Sequence, residues 1–246
     1  MQFDYIQNRR IVVIKMKKVA IIQSNYIPWK GYFDIIHDVD EFIFHDDLQY
    51  TKNDWRNRNK ILTNQGDRWL TIPVGTNEHR LIQEVRIKDH IWQKKHWNLL
   101  ELFYKKSPFF DIYRDYFEDI YLYRTWEYLS ELNQHLIKHI SKAFLGIKTT
   151  FTTSSDYTAS GKKQTKVLEL LKESGADCYV SGSAAKSYIE EDDFRQAGIK
   201  LIWKDYSGYP EYPQQFEPFV HNVSILDLLF NVGNNAPYYI WEWRGE

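Results

Sequence analysis

The stretch KKVAIIQ, residues 17–23, is a short apolar run entered through charge, the pattern of a strand buried on both faces in a parallel sheet. Pro28 and Gly31 punctuate the turn behind it. GYFDIIHDV (31–39) then predicts a short helix with Phe33, Ile35 and Ile36 inward. EFIFHDD (41–47) predicts a second strand that ends in two acids. Strand, helix and strand within about thirty residues make a βαβ unit, whose crossover is right-handed.

LQYTKNDWRNRNKI (48–61) is polar, basic and without a helical stripe, and reads as an ordered loop. RWLTIPVG (68–75) reads as a strand, and the alternation in LIQEVRI (81–87) as another. Residues 91–146 then change character. Trp92, His96, Leu99, Leu100 and Phe103 follow helical spacing. Ser107-Pro108 is a good N-cap and first helical residue. Leu129, Leu132, Leu136, Ile140, Ala143 and Phe144 form a second stripe, closed by Gly146. The α/β pattern resumes with a helix over 162–174, a strand over 177–182 and a short helical piece over 183–195. A strand over 198–206, a Tyr-Pro-rich loop over 207–219 and a helix over 223–233 complete it. The expected fold is α/β: a Rossmann-like parallel sheet flanked by helices, formed by residues 18–90 and 150–246. A helical subdomain, 91–149, is inserted in it. Residues 1–17 read as a loose leader, although Met16 before Lys-Lys and a strand would equally serve as the natural start.

Composition changes this picture only in places. A chain of 246 residues, 43% hydrophobic and 26% charged, can bury a core without metal or disulfide support. Aromatics reach 17%, which suits either bulky core packing or wet, amphipathic grooves. The net charge of −1 gives no global field for nucleic acid. Cys178 is the single cysteine, so an internal disulfide is excluded, and a reducing, cytoplasmic setting is expected. No apolar run is long enough to span a membrane.

Ligands of open parallel sheets bind beyond the carboxyl ends of the strands, and that rule selects the candidate chemistry. Gln23 and Asn25 stand after the first strand, where amides donate and accept hydrogen bonds. Asp46, Asp47, Tyr50 and Lys52 stand after the second. Adjacent carboxylates such as Asp46 and Asp47 are candidate Mg2+ ligands, but on a continuing strand they point to opposite faces, so one is expected to face the site. Lys52, Arg56, Arg58 and Lys60, interleaved with Asn53, Asn57 and Asn59, suit a phosphate, and Trp55 or Tyr50 suits stacking on a base or sugar. Ser181, Gly182, Ser183 and Lys186 form another candidate phosphate cradle. SGKKQTK (160–166) lacks P-loop spacing. His135 and His139 lack a third zinc ligand and read as a solvated helix face; Cys178 reads as a core residue. No metal site is expected.

Taken in order, VAIIQSNYIPWKGYFDII, FIFHDDLQYTKNDWRNRNKI, WLTIPV, YVSGSAAKSYI, FRQAGIKLIWKDY, YPQQF and SILDLLFNVG resemble the WbqC-like protein family across about residues 18–235. Ser24 departs from the pattern, where Pro is expected after Gln23. The resemblance implies a bacterial protein of O-antigen or other surface-polysaccharide clusters that transfers glycine or a similar acyl group to a sugar. A fainter likeness runs to the HxGH nucleotidyltransferases, pantothenate synthetase among them. There Trp29 and Tyr32 stand where those enzymes carry two histidines, so the architecture transfers and adenylyl transfer does not.

The expected function is acyl or aminoacyl transfer to a nucleotide-linked amino sugar. Gln23 and Asn25 would orient the reactants, and Tyr50 or Asp47 would accept the proton. Lys52, Arg56, Arg58, Asn59, Ser181, Gly182 and Lys186 would bind substrate or phosphate. The rivals are an ATP-using ligase or nucleotidyltransferase-like enzyme, and a non-catalytic glycan-binding or scaffolding protein. The expected partner is a nucleotide sugar or other phosphorylated small molecule. Among nucleic acids only an aminoacyl-tRNA donor fits the locally basic 52–60 segment. The sequence names no cofactor.

Overall fold

A computed structural model describes residues 15–245. Positions 1–14 of the expected leader lie outside the described residues. The first elements are β1 (Lys18–Ile22), α1 (Lys30–His37) and β2 (Glu41–Phe44), followed by a hairpin of β3 (Arg58–Thr63) and β4 (Gly66–Thr71). Helices α2 (Ile91–Tyr104), α3 (Phe110–Glu118) and α4 (Leu129–His139) come next. Then come β5 (Thr150–Thr153), α5 (Gln164–Glu173), β6 (Cys178–Gly182), α6 (Glu191–Gln196), β7 (Lys200–Lys204) and α7 (Ile225–Val232).

The main sheet runs β5-β2-β1-β6-β7, with every neighbouring pair parallel. The fold is α/β. The chain builds outward from β1 through β2 to β5, then returns to the other side of β1 for β6 and β7. That reversal puts the topological switch point beside the carboxyl end of β1.

Strand alternation divides the core between two faces. Val19, Ile21, Ile43 and Tyr179 pack with Leu170 and Leu171 of α5 and Phe194 of α6. Ala20, Phe42, Phe44 and Val180 join a larger core with Phe33 and Ile36 of α1 and Leu229 of α7. The same core continues through Leu100 of α2, Phe117 of α3 and Leu136 of α4, so the inserted helices share it with the sheet.

Four local expectations are corrected. The end of the 48–61 segment is not loop: from Arg58 it pairs residue for residue with β4. Residues 81–87 form no strand. Glu84 accepts from the Leu81 amide at 2.8 Å and closes one tight turn, Ile82–Glu84. Ser107 does not cap α3; its hydroxyl lies 3.0 Å from Gln215 Oε1, and the helix begins at Phe110. The fourth is β5, which the pattern did not predict. Its TFTT sequence has no apolar alternation, and it is ordered as an edge strand by pairing to β2.

Buried polar groups are paired in networks. Asp34 in α1 is fully buried and meets Lys204 at 2.7 Å, Arg244 at 2.8 Å and the Tyr209 hydroxyl, which fastens the end of the chain to α1. In α2, His96 Nδ1 lies 2.9 Å from the Tyr26 hydroxyl, which lies 2.5 Å from that of Tyr121. Burial pushes the His96 imidazole down to about 3. His96 is therefore neutral in the fold and protonated in the unfolded chain below about 6.5. Its contribution is fully present above that pH and is lost as pH falls toward the folded value. The loss should run at about 1.4 kcal/mol per pH unit. Urea unfolding of His96→Gln between pH 4 and 7 should show a flatter fall in stability than the wild type, whatever its absolute stability; an unchanged slope would remove His96 as the cause.

Candidate active site

The turn between β1 and α1 is held in a conformation that its own sequence disfavours. Ile27 has φ 36°, a left-handed backbone that a β-branched side chain rarely adopts. Asn59, buried in β3, donates to the carbonyls of Tyr26 and Ile27 at 3.0 and 2.9 Å. The Tyr26 amide donates to Trp55 O at 3.0 Å. On the other side, the Ile225 amide donates to Pro28 O at 2.9 Å and the Ser224 amide to Lys60 O at 2.8 Å. Three separate segments are thereby tied together: the turn, the entry to the hairpin and the start of α7.

Their junction encloses a cavity of about 390 Å3, lined by Asn25, Pro28, Trp29, Trp55, Asn59, Lys60 and Asn222. Two indoles, three amides and one ammonium line it; no carboxylate, imidazole, hydroxyl or thiol does among the described residues. Asn25 Oδ1 is buried without a hydrogen-bond partner. Trp29 is fixed from behind. Its ring lies 5.5 Å from that of Tyr206 and 5.9 Å from that of Tyr209. It also folds over Gly31, where an added Cβ would stand 2.3 Å from a ring carbon. Lys30, buried beside it, donates to Pro210 O at 3.2 Å and faces the rings of Tyr209 and Tyr212 at 5.0 and 5.2 Å. Burial pushes this amine down to about 8, against the pull of Asp227 and Asp34.

The alternation of amides and cations in residues 57–60 is the period of a strand. Asn57 and Asn59 turn inward, Asn57 donating to Ile72 O at 3.0 Å. Arg58 and Lys60 turn outward over Trp69, at 4.2 and 5.0 Å from its ring centre. Arg56 binds Asp54 at 2.7 Å.

Of the residues expected at the site, Asn25 and Asn59 line the cavity, with Trp55 and Lys60 beside them. Gln23 stands two residues before Asn25, at the start of the same turn, where its main-chain carbonyl accepts from the Tyr32 hydroxyl at 2.9 Å. Asp47 is engaged elsewhere by an ion pair to Lys166 and a 2.6 Å hydrogen bond from Ser154. Burial would raise its pKa, but Lys166, Ser154 and His45 together hold it below the usual carboxylate range. Asp46 diverges from it, accepting from the Ser24 amide at 2.7 Å and Gln134 at 2.9 Å, and burial raises its pKa. The two acids share no site, and among the described residues no cluster of three or more His, Cys, Asp or Glu is placed to hold a metal. Tyr50 is buried under the Arg80 guanidinium, Lys52 is exposed opposite Glu78, and Lys186 lies over Trp203. Ser181 is buried in β6, and Gly182 faces the Tyr206 ring. None of these last five lines the cavity. Sequence reasoning missed Asn222, which carries no local signal in its loop, and Lys30, whose partners Pro210, Tyr209 and Tyr212 lie far away in sequence.

The profile of the WbqC-like protein family matches residues 23–239. The chain belongs to the WbqC-like protein family. An uncharacterized protein of Mycobacterium tuberculosis is 47% identical over 227 residues, 92% of this chain and 98% of that one. No solved structure matches. The family match spans every residue that lines the cavity.

Two substitutions test this geometry. Asn59→Ala leaves two buried carbonyls unpaired and should cost about 2–4 kcal/mol, read from urea unfolding. Gly31→Ala forces Trp29 off the cavity wall; its structure should show a displaced indole, and a Trp29 left in place would mean that the contact is not limiting.

Proposed function

We propose that this protein transfers an acyl or aminoacyl group, such as glycyl, to an amino sugar during surface-polysaccharide assembly, the sugar being nucleotide-linked. The observation that carries the reading is the cavity: two tryptophans facing three asparagine amides and one lysine, at the carboxyl end of β1. Indole faces pack against the apolar face of a pyranose, and amides pair with its hydroxyl and amide groups. At about 390 Å3 the space is of small-molecule size. Family membership supports the same reading through the polysaccharide clusters that the resemblance implies.

In this reading Trp29 and Trp55 hold the ring, and Asn222 and Asn59 border its hydroxyls. Asn25 orients both reactants: its buried, unpartnered Oδ1 accepts from the sugar amine, and its Nδ2 donates to the reacting carbonyl, as amide donors do for a developing oxyanion. Gln23 supports the turn that presents it. The amine attacks the carbonyl of an activated donor, the bond to the leaving group breaks, and the amine's proton departs with that group. Lys60 at the rim meets phosphate. In this reading the reaction takes place in the cytoplasm, a setting that suits a chain with a single cysteine.

One observation favours a second reading, a non-catalytic glycan-binding protein: among the described residues no carboxylate or imidazole able to act as a general base lines the cavity. Calorimetry with nucleotide-linked and free amino sugars tests the binding shared by both. Asn25→Ala should weaken sugar binding about tenfold, and Trp29→Ala at least as much. If no amino sugar binds at millimolar concentration, both readings fail. Mass spectrometry of the sugar after incubation with thioester, aminoacyl-tRNA and ATP-plus-amino-acid donors then separates them: acylated product favours the transferase, and bound but unchanged sugar favours the binding protein. Product formed only with ATP would favour a ligase.

A further inference from the structure

The outer face of the hairpin carries a second feature beside the cavity. Trp55 and Trp69 are 42% and 40% exposed, and their rings lie 5.4 Å apart at 39°. Lys60 and Trp69 are direct cross-strand partners. Arg58 shares their face, its guanidinium 4.2 Å over Trp69. Cross-strand cation and indole pairing accounts for Trp69 as a hairpin-stabilising residue. Trp55 lies outside the ladder; it lines the cavity on one side and leaves part of its indole exposed beside Trp69. Arg58 is ordered by a hydrogen bond to Asn53 O. Lys60 and Trp55 belong to both features, since each lines the cavity and faces Trp69.

We propose that this face is the binding site for the nucleoside diphosphate that carries the sugar. The base stacks on the Trp55–Trp69 surface, the diphosphate meets Arg58 and Lys60, and the sugar enters the cavity beyond Lys60. The order of features along the surface matches the order of groups in such a molecule. Only the last of these placements rests on the reading of the cavity given above. Lys60 is now paired with Asp67, but both side chains are partly exposed, at 28% and 41%, so the pair is weak and a diphosphate can displace it.

The test is titration of the full chain with UDP, GDP, CDP and ADP, followed by tryptophan fluorescence and calorimetry, beside titration with free amino sugar. At least one nucleoside diphosphate should bind and quench fluorescence. Trp69→Ala should weaken that binding roughly 5- to 150-fold while free-sugar binding stays within about twofold. Asp67→Asn, which removes the competing carboxylate, should tighten it about two- to fivefold, an effect that loss of folding cannot imitate. The proposal is overturned if no nucleoside diphosphate binds, or if binding is indifferent to both variants. It is also overturned if tRNA binds with a steep salt dependence while the diphosphates do not. Nucleotide binding that depends on Trp69 without any sugar binding would leave this site standing and remove the cavity reading; the reverse pattern would do the opposite.

Discussion

The side-chain amide of Asn59 holds the carbonyls of Tyr26 and Ile27, and the site is arranged around that contact. Beyond the end of β1 these two carbonyls have no ladder partners, in a buried place. Leaving both unpaired would cost about 2–4 kcal/mol. Ile27 adds the strain of a left-handed backbone, about 1–3 kcal/mol. One side chain with two N–H groups on adjacent carbonyls offsets the first cost and fixes the second. With the turn fixed, Pro28 O is placed to receive Ile225 N, and Lys60 O to receive Ser224 N. The walls of the cavity are thus set by the Asn59 side chain on one side and by main-chain bonds on the other. Of the groups that line it, Asn59 is committed to holding the turn, while Asn25 Oδ1 has no hydrogen-bond partner and faces the space.

Much of this was legible in the sequence because it depends on local chemistry. The apolar runs over 17–23 and 41–44 stand in the sheet, and the crowding of polar groups after Gln23 marked the turn. What failed did so where tertiary pairing overrides propensity. Residues 57–60, NRNK, contain nothing that favours a strand by itself. Their period of two was present, but a basic, amide-rich composition disguised it as loop. The TFTT strand had the same difficulty at the sheet edge. Asn222 and Lys30 were illegible for another reason: their roles are set by partners far away in sequence, Lys30 by Pro210, Tyr209 and Tyr212.

Charge placement follows the same division between structural and exposed roles. Asp46 and Asp47 adjoin in sequence and part in space, one taking the Ser24 amide and the other Lys166. Each steadies a different loop at the sheet's carboxyl edge. Asp34 gathers Lys204 and Arg244 inside the fold. These buried ion pairs remove several of the obvious acids and bases from contact with a ligand; among the described residues the cavity keeps one ammonium, that of Lys60, in a partly exposed pair with Asp67.

An amide-lined site of this kind narrows the chemistry it can support. With no carboxylate or imidazole lining the cavity among the described residues, any catalysis there has to come from placement. Holding an amine against an activated carbonyl is worth about 7–11 kcal/mol in well-oriented intramolecular systems. A single oriented donor to the oxyanion adds about 3–4 kcal/mol. Together these are of the size that acceleration of an already activated acyl group requires, since typical enzymes lower barriers by about 8–23 kcal/mol. Such a site would be a poor place to activate a free carboxylic acid, which needs phosphate chemistry and the charge to stabilise it. The cavity's composition therefore argues that, if transfer occurs here, the donor arrives activated, and that the protein's contribution lies in the rigidity of the turn that Asn59 holds.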